Sequence, residues 1–123
     1  MKITRLDHVQ LAMPPSSEEE AREFYGRILN LHEREKPEAL KAKGGCWFAA
    51  DGLELHLGVQ ADFVPARKAH PGLRVADLEA ARAHLQAAGV SIVEDQSGVE
   101  MRRFYVNDPF GNRLEFMQEG DTF

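Results

Sequence analysis

The 123-residue chain, 43% hydrophobic and 28% charged, is long enough to bury a real core without disulfides or a structural metal. Its formal net charge of −5 argues against a sequence-independent grip on nucleic acid, which needs a basic surface. One cysteine, Cys46, leaves no intrachain disulfide, no apolar run approaches a membrane span, and the apolar run at the N-terminus breaks too early for a signal peptide. A cytoplasmic protein is expected, with a small molecule or a second copy of the chain as its partner, and neither nucleic acid nor membrane.

The first strand is expected over about Ile3 to Met13, with Val9, Leu11 and Met13 on an apolar face and His8, Gln10 and Ala12 on the other. After Pro14-Pro15, the spacing of Ser16 with Glu19, or Ser17 with Glu20, predicts a capping box. The helix it opens places Glu18, Glu19 and Glu20 at the positive end of its dipole and carries an apolar stripe of Ala21, Phe24, Tyr25, Ile28 and Leu29. Asn30, tolerant of the left-handed conformation, ends it. A linker through Lys43 leads to a strand at Cys46–Ala49, a turn at Ala50-Asp51-Gly52 and a strand over Leu53–Val59 that sets Glu54, His56 and Gly58 opposite its leucines.

The order then repeats. His70 begins the next strand, Asp77 caps a helix bearing Leu78, Ala81, Leu85 and Ala88, and Gly89 ends it. A strand over Arg102–Val106 enters the turn Asp108-Pro109-Phe110-Gly111-Asn112, and Arg113–Gln118 alternates with Glu115 opposite Leu114 and Phe116. Asn30 and Gly89, Gly52 and Gly111, and His56 and Glu115 are each 59 positions apart. A constant offset across a helix end, a turn and a strand marks a duplicated unit. One domain over residues 1–123 is expected, with module one about 1–59, a connection about 60–69 and module two about 70–118.

The repeat sets four polar side chains at equivalent places, His8 and His70 on first strands, His56 and Glu115 on last strands. Under a pseudo-twofold they can converge as ligands of a divalent ion such as zinc, nickel, manganese or iron. The spacing alone is no short-range metal motif and gains weight only from the repeat. Gln10, Arg103 and Tyr105 point to the same inward faces.

Four segments resemble the vicinal-oxygen-chelate superfamily of glyoxalases, bleomycin-resistance proteins and extradiol dioxygenases: Asp7–Ala12, Ala21–Tyr25, Leu53–Leu57 and Asn107–Phe116. The resemblance implies an α+β fold of two tandem βαβββ modules whose curved mixed sheets form a partly open barrel with helices outside. It implies homodimers in which a site often takes residues from both chains. His8, His70 and Glu115 match the family's metal positions, with Glu115 implied as the proton-transferring base as well. His56 stands where glyoxalases carry Glu or Gln, a departure from that pattern. Tyr105 matches a substrate-contacting tyrosine of the fosfomycin-resistance enzymes.

Two functions follow as expectations. One is a metal-dependent enzyme acting on a small substrate with vicinal oxygens, of isomerase, lyase, oxygenase or transferase type. The other is a metal-free binding protein that encloses a ligand with Trp47, Tyr105 and Phe104 or Phe110, its histidines ordinary polar lining. Each residue also has a plainer role. His56 could hydrogen-bond Glu54, two residues away on the same face, and leave the ion three protein ligands. Arg103 could hold an anionic ligand group or form a salt bridge, Trp47 could line the pocket or fill core, and Cys46 reads as a small buried hydrophobe.

Overall fold

The computed structural model describes residues 1–123. Two compact units divide the chain, Met1–Pro65 and Ala66–Phe123. Each is one βαβββ module with an open, four-stranded mixed sheet, the α+β arrangement expected.

In the first unit, β1 (Val9–Met13) is followed by α1 (Glu18–Ala21), which continues as a π-helical stretch over Arg22–Ile28. Next come β2 (His32–Arg34), α2 (Glu38–Lys41), β3 (Cys46–Ala50) and β4 (Leu53–Val59). The sheet order is β1-β4-β3-β2, with β1 parallel to β4 and the other pairs antiparallel. Its core gathers Met13, Phe24, Tyr25, Phe48, Leu55 and Leu57, with the rings of Tyr25 and Phe48 stacked.

The second unit repeats this with β5 (Gly72–Val75), α3 (Leu78–Ala87), β6 (Val93–Glu94), β7 (Arg103–Asn107) and β8 (Arg113–Gln118), ordered β5-β8-β7-β6. Leu78, Leu85, Phe104, Val106, Leu114 and Phe116 are buried. Asp77 caps α3 as expected, accepting from the Ala80 amide at 3.0 Å. All four punctuation residues of the repeat have positive φ: Asn30 at 59° and Gly89 at 82°, Gly52 at 73° and Gly111 at 91°.

Several local expectations need correction. The first strand starts at Val9 rather than Ile3, because its parallel partner β4 begins only at Leu53 and Val9 already pairs with Leu55. No capping box forms. Ser16 turns to φ 59°, and the Ser17 hydroxyl donates back to the Pro15 carbonyl. The helix widens to π geometry, closed by the Leu29 amide on the Phe24 carbonyl, and it buries the adjacent Phe24 and Tyr25 together while Leu29 is only half-buried. The linker holds β2 and α2. β7 is displaced by one residue, its expected first residue Arg102 being bound through its backbone amide and Nε to Asp121.

The Asp108–Asn112 turn is a built object. Buried Asp108 accepts the backbone amides of Phe110 and Asn112 at 2.9 and 2.8 Å and the Asn112 side-chain amide at 2.9 Å. It sets the start of β8 and thereby the place of Glu115. Asp108→Ala strands these donors, so we expect it to destabilise the protein by about 2–4 kcal/mol. Urea unfolding measures this, and an unchanged midpoint would refute that role for the carboxylate.

Candidate functional site

Strand register explains which side chains meet. In the first unit Gln10 pairs with His56 and Trp47 also pairs with His56, on opposite sides of β4. In the second, Gly72 pairs with Glu115 and Tyr105 also pairs with Glu115. Thus Tyr105 takes the place of Trp47, and Glu115 that of His56.

In the first unit these residues form a ladder of flat groups. His56 is buried between Trp47, at 4.1 Å and 4° between planes, and His8, at 4.4 Å and 17°. The Arg34 guanidinium lies 5.8 Å from the Trp47 ring centroid. One carboxylate staples this ladder: Glu54 accepts from Arg34 Nη1 at 2.6 Å through Oε1 and meets His56 Nε2 at 3.2 Å through Oε2. His56 Nε2 therefore carries a proton in its neutral ring. Burial holds the His56 pKa below the ordinary imidazole value, with the Glu54 hydrogen bond opposing it. His8 Nδ1 lies 2.9 Å from Asp7 Oδ1, and this hydrogen bond keeps the Asp7 pKa low. The ladder walls an open cleft of about 710 Å³, also lined by Gln10 and Leu40. Gln10 lies across Gly58 of β4, where an added Cβ would fall 2.6 Å from its side-chain nitrogen.

In the second unit, Glu115 is buried at 6% exposure, with a basic side chain at each oxygen. Oε1 is 2.9 Å from His70 Nε2 and Oε2 accepts from Arg103 Nη1 at 3.3 Å. Arg103 is committed elsewhere too, through Nε to Asp95 Oδ2 at 2.9 Å and Nη2 to Ser97 Oγ at 3.2 Å. Its guanidinium thus orients the carboxylate. Tyr105 stands edge-on to His70 with ring centroids 5.7 Å apart.

The two first-strand histidines share one feature. His70 Nδ1 is 2.8 Å from the Lys68 carbonyl, which can only accept, so Nδ1 carries the proton. His8 Nδ1 is bound in the same way by the Asp7 carboxylate. In both neutral rings Nε2 is then a bare acceptor. For His70 it faces a carboxylate oxygen, and two acceptors 2.9 Å apart require a cation between them, a proton or a metal ion. This donor pair fits a divalent ion. His8 and His56 as a stacked pair do not fit one ion jointly, because each imidazole coordinates in its own plane and the planes are nearly parallel. Neither unit by itself gathers three or more His, Cys, Asp or Glu side chains that could hold a metal. Cys46 is buried, which pushes its thiol up to about 11, no setting for a nucleophile.

Sequence reasoning singled out the eight inward residues besides Glu115 but missed Asp7, Arg34, Asp95, Ser97 and the Lys68 carbonyl. Asp7 beside His8 was a readable signal. The partners of Arg103 lie on the segment just before β7, which carries no periodic pattern.

The comparisons agree with the fold. Residues 5–116 match the model of the Glyoxalase/Bleomycin resistance protein/Dioxygenase superfamily. A protein assigned to the glyoxalase family from Bacillus anthracis is 45% identical, with a TM-score of 0.92 over 96% of this chain and 97% of that one. An antibiotic-binding protein from a Streptomyces species, TnmS3, is 24% identical with a TM-score of 0.72 over 96% and 98%. The fosfomycin resistance protein FosX of Listeria monocytogenes is 17% identical with a TM-score of 0.74 over 95% and 92%. The last two likenesses are of fold alone. Among curated proteins none matches the sequence. No helix is long and apolar enough to cross a membrane.

The ladder makes a pH prediction. Because the folded His56 pKa is lowered, the unfolded chain takes up that proton first as pH falls through about 6.5, so this residue makes stability decline on the acid side. His56→Gln should flatten the fall in melting temperature between about pH 7 and pH 5. The fluorescence of Trp47, the sole tryptophan, should titrate below the ordinary histidine range in the parent and not in the variant. Identical profiles for both proteins would refute the assignment.

Proposed function

Because the chain belongs to the glyoxalase/bleomycin resistance protein/dioxygenase superfamily, we propose that it is a metal-dependent enzyme acting on a small substrate with adjacent oxygens. The proposed ligands of one divalent ion, zinc, nickel, manganese or iron, are His8, His70 and Glu115, from one chain or from two copies in a homodimer. The observation that carries this reading is the shared fixing of Nδ1 in His8 and His70, by a carboxylate and a carbonyl, which leaves each Nε2 available. Metal-binding histidines are characteristically held in this way. His56, engaged by Glu54, is released from the ligand set and instead supports the His8 ring by its face.

When bound, such an ion supplies a Lewis acid for adjacent oxygens and the negative charge that develops on them. The chain's own residues do the rest. Arg103 keeps Glu115 Oε2 in place, which leaves Oε1 as the atom that would hold the ion and, when displaced from it, accept a proton from the substrate. Gln10 and Tyr105 orient the substrate, and Trp47 with Glu54 forms the wall that limits its size and its access to water. The reaction type is left to substrate screening, since one scaffold of this kind hosts several chemistries.

A second reading, a metal-free binding protein, is favoured by the ladder of His8, His56, Trp47 and Arg34, a row of ring edges along the cleft against which a ligand ring can pack edge-to-face. Elemental analysis of protein purified without a polyhistidine tag separates the two. We expect close to one equivalent of a transition metal per chain, lost in His70→Ala and in Glu115→Gln. Protein that is metal-free and refuses added Zn²⁺, Ni²⁺, Mn²⁺ and Fe²⁺ would overturn the enzyme reading and leave the binding one. Arg103→Ala, which removes the support of a ligand rather than a ligand, should weaken metal affinity about 10–100-fold by competition titration.

A further inference from the structure

Arginines in this chain are mostly matched to carboxylates: Arg22 to Glu33, Arg34 to Glu54, Arg82 to Glu79 and Glu94, and Arg103 to Asp95 and Glu115. Arg113 differs. It is half-buried on β8, and its guanidinium meets no carboxylate or carbonyl, only the ring of Tyr105 at 5.3 Å from the centroid. With Tyr105, Asn107 and Gln96 it lines a cleft of about 260 Å³ within the second unit. The Tyr105 hydroxyl and the amides of Asn107 and Gln96 also lack hydrogen-bond partners, so the cleft presents unused donors.

Glu94 and Asp95 stand at the same cleft, but their charges are already answered, Glu94 by Arg82 and Asp95 by Arg103. Arg113 is the unmatched charge. A planar fork with neighbouring hydroxyl and amide donors is suited to an oxyanion, a carboxylate or a phosphate.

Its position relates it to the proposed reacting site. Arg113 and Glu115 share one face of β8, while Leu114 between them is buried in the core. Two residues along a strand is about 7 Å. Tyr105 spans the gap, paired with Glu115 across the sheet, edge-on to His70 and beneath Arg113.

We propose that Arg113, with Tyr105 and Asn107, binds an anionic group of the substrate. The substrate class is then a small anion whose carboxylate or phosphate stands about 7 Å from the oxygens handled at His70 and Glu115. This rests on the reading of His70 and Glu115 as the reacting site.

The test uses metal-loaded protein and two chelating probes, benzohydroxamate and its para-carboxylate, titrated calorimetrically. Wild type should bind the carboxylate-bearing probe about tenfold more tightly or better. Arg113→Gln should lose that preference while keeping its affinity for benzohydroxamate, and Arg113→Lys should retain part of it. An equal preference in wild type and Arg113→Gln would overturn the proposal. Should wild type take up no metal, the reading of His70 and Glu115 fails separately, and the arginine corner is judged on its own. Titration of metal-free protein with benzoate and with phenyl phosphate, followed by the Arg113 Nε–H resonance, shows which oxyanion it takes. No shift with either would sink it.

Discussion

Parallel pairing of the first and last strands of each module is the constraint on which the site depends. It sets β1 beside β4 and β5 beside β8 in one register, so that the residue two places beyond the first-strand histidine lies opposite the key residue of the last strand: Gln10 beside His56, Gly72 beside Glu115. A parallel pair cannot be closed by a tight turn and needs a crossover. Each module supplies this with its helical segment and the antiparallel strands between. The turn on Asp108 and the hairpin at Gly52 then fix how far along the last strand each functional side chain stands. A one-residue slip in either pairing would send these side chains into the core face.

On this common frame the two modules solve burial differently. His56 can be buried as a neutral ring, so flat neighbours and one carboxylate suffice, and the burial itself keeps it neutral. Glu115, buried as a carboxylate, has no such option and must be matched by positive or proton-bearing groups on both oxygens. Arg103 matches one oxygen and is held in turn by Asp95 and Ser97. The other oxygen faces a ring nitrogen of His70, whose tautomer is set from the far side by the Lys68 carbonyl. Duplication therefore produced two similar sheets and only one acidic centre.

Much of this was legible because duplication leaves long-range information in the sequence. The 59-residue offset joins Gly52 to Gly111 and His56 to Glu115 without knowledge of the fold, and the strands Leu53–Val59 and Arg113–Gln118 alternate cleanly enough to be bounded from pattern alone. β2 was invisible for a physical reason. Its three residues are all exposed, so it carries no apolar period and is held by backbone pairing to β3 and by the ion pairs Arg22–Glu33 and Arg34–Glu54. The capping box failed because it is a local pattern, and Ser16 adopts a left-handed turn that carries Ser17 out of reach. The networks around Arg103 and Arg34 are hidden for a different reason, since Arg34–Glu54 and Arg103–Glu115 join strands whose adjacency only the sheet order reveals.

The ladder and the metal reading compete for His8 only in appearance. A histidine coordinates through its edge and stacks through its face, so His56 beneath the His8 ring leaves the His8 Nε2 edge untouched. Asp7 occupies Nδ1 of the same ring. Face and one nitrogen are thus both fixed, and the remaining nitrogen has a defined direction on an otherwise exposed side chain. His70, more enclosed, needs less: a carbonyl at Nδ1, an aromatic edge from Tyr105 and the carboxylate it faces. On the proposed reading His56 is a support, and its occurrence where glyoxalases carry an acidic or amide side chain would lower the number of protein ligands to three. Fewer protein ligands leave more positions for substrate oxygens, which suits a chelated substrate better than a structural ion.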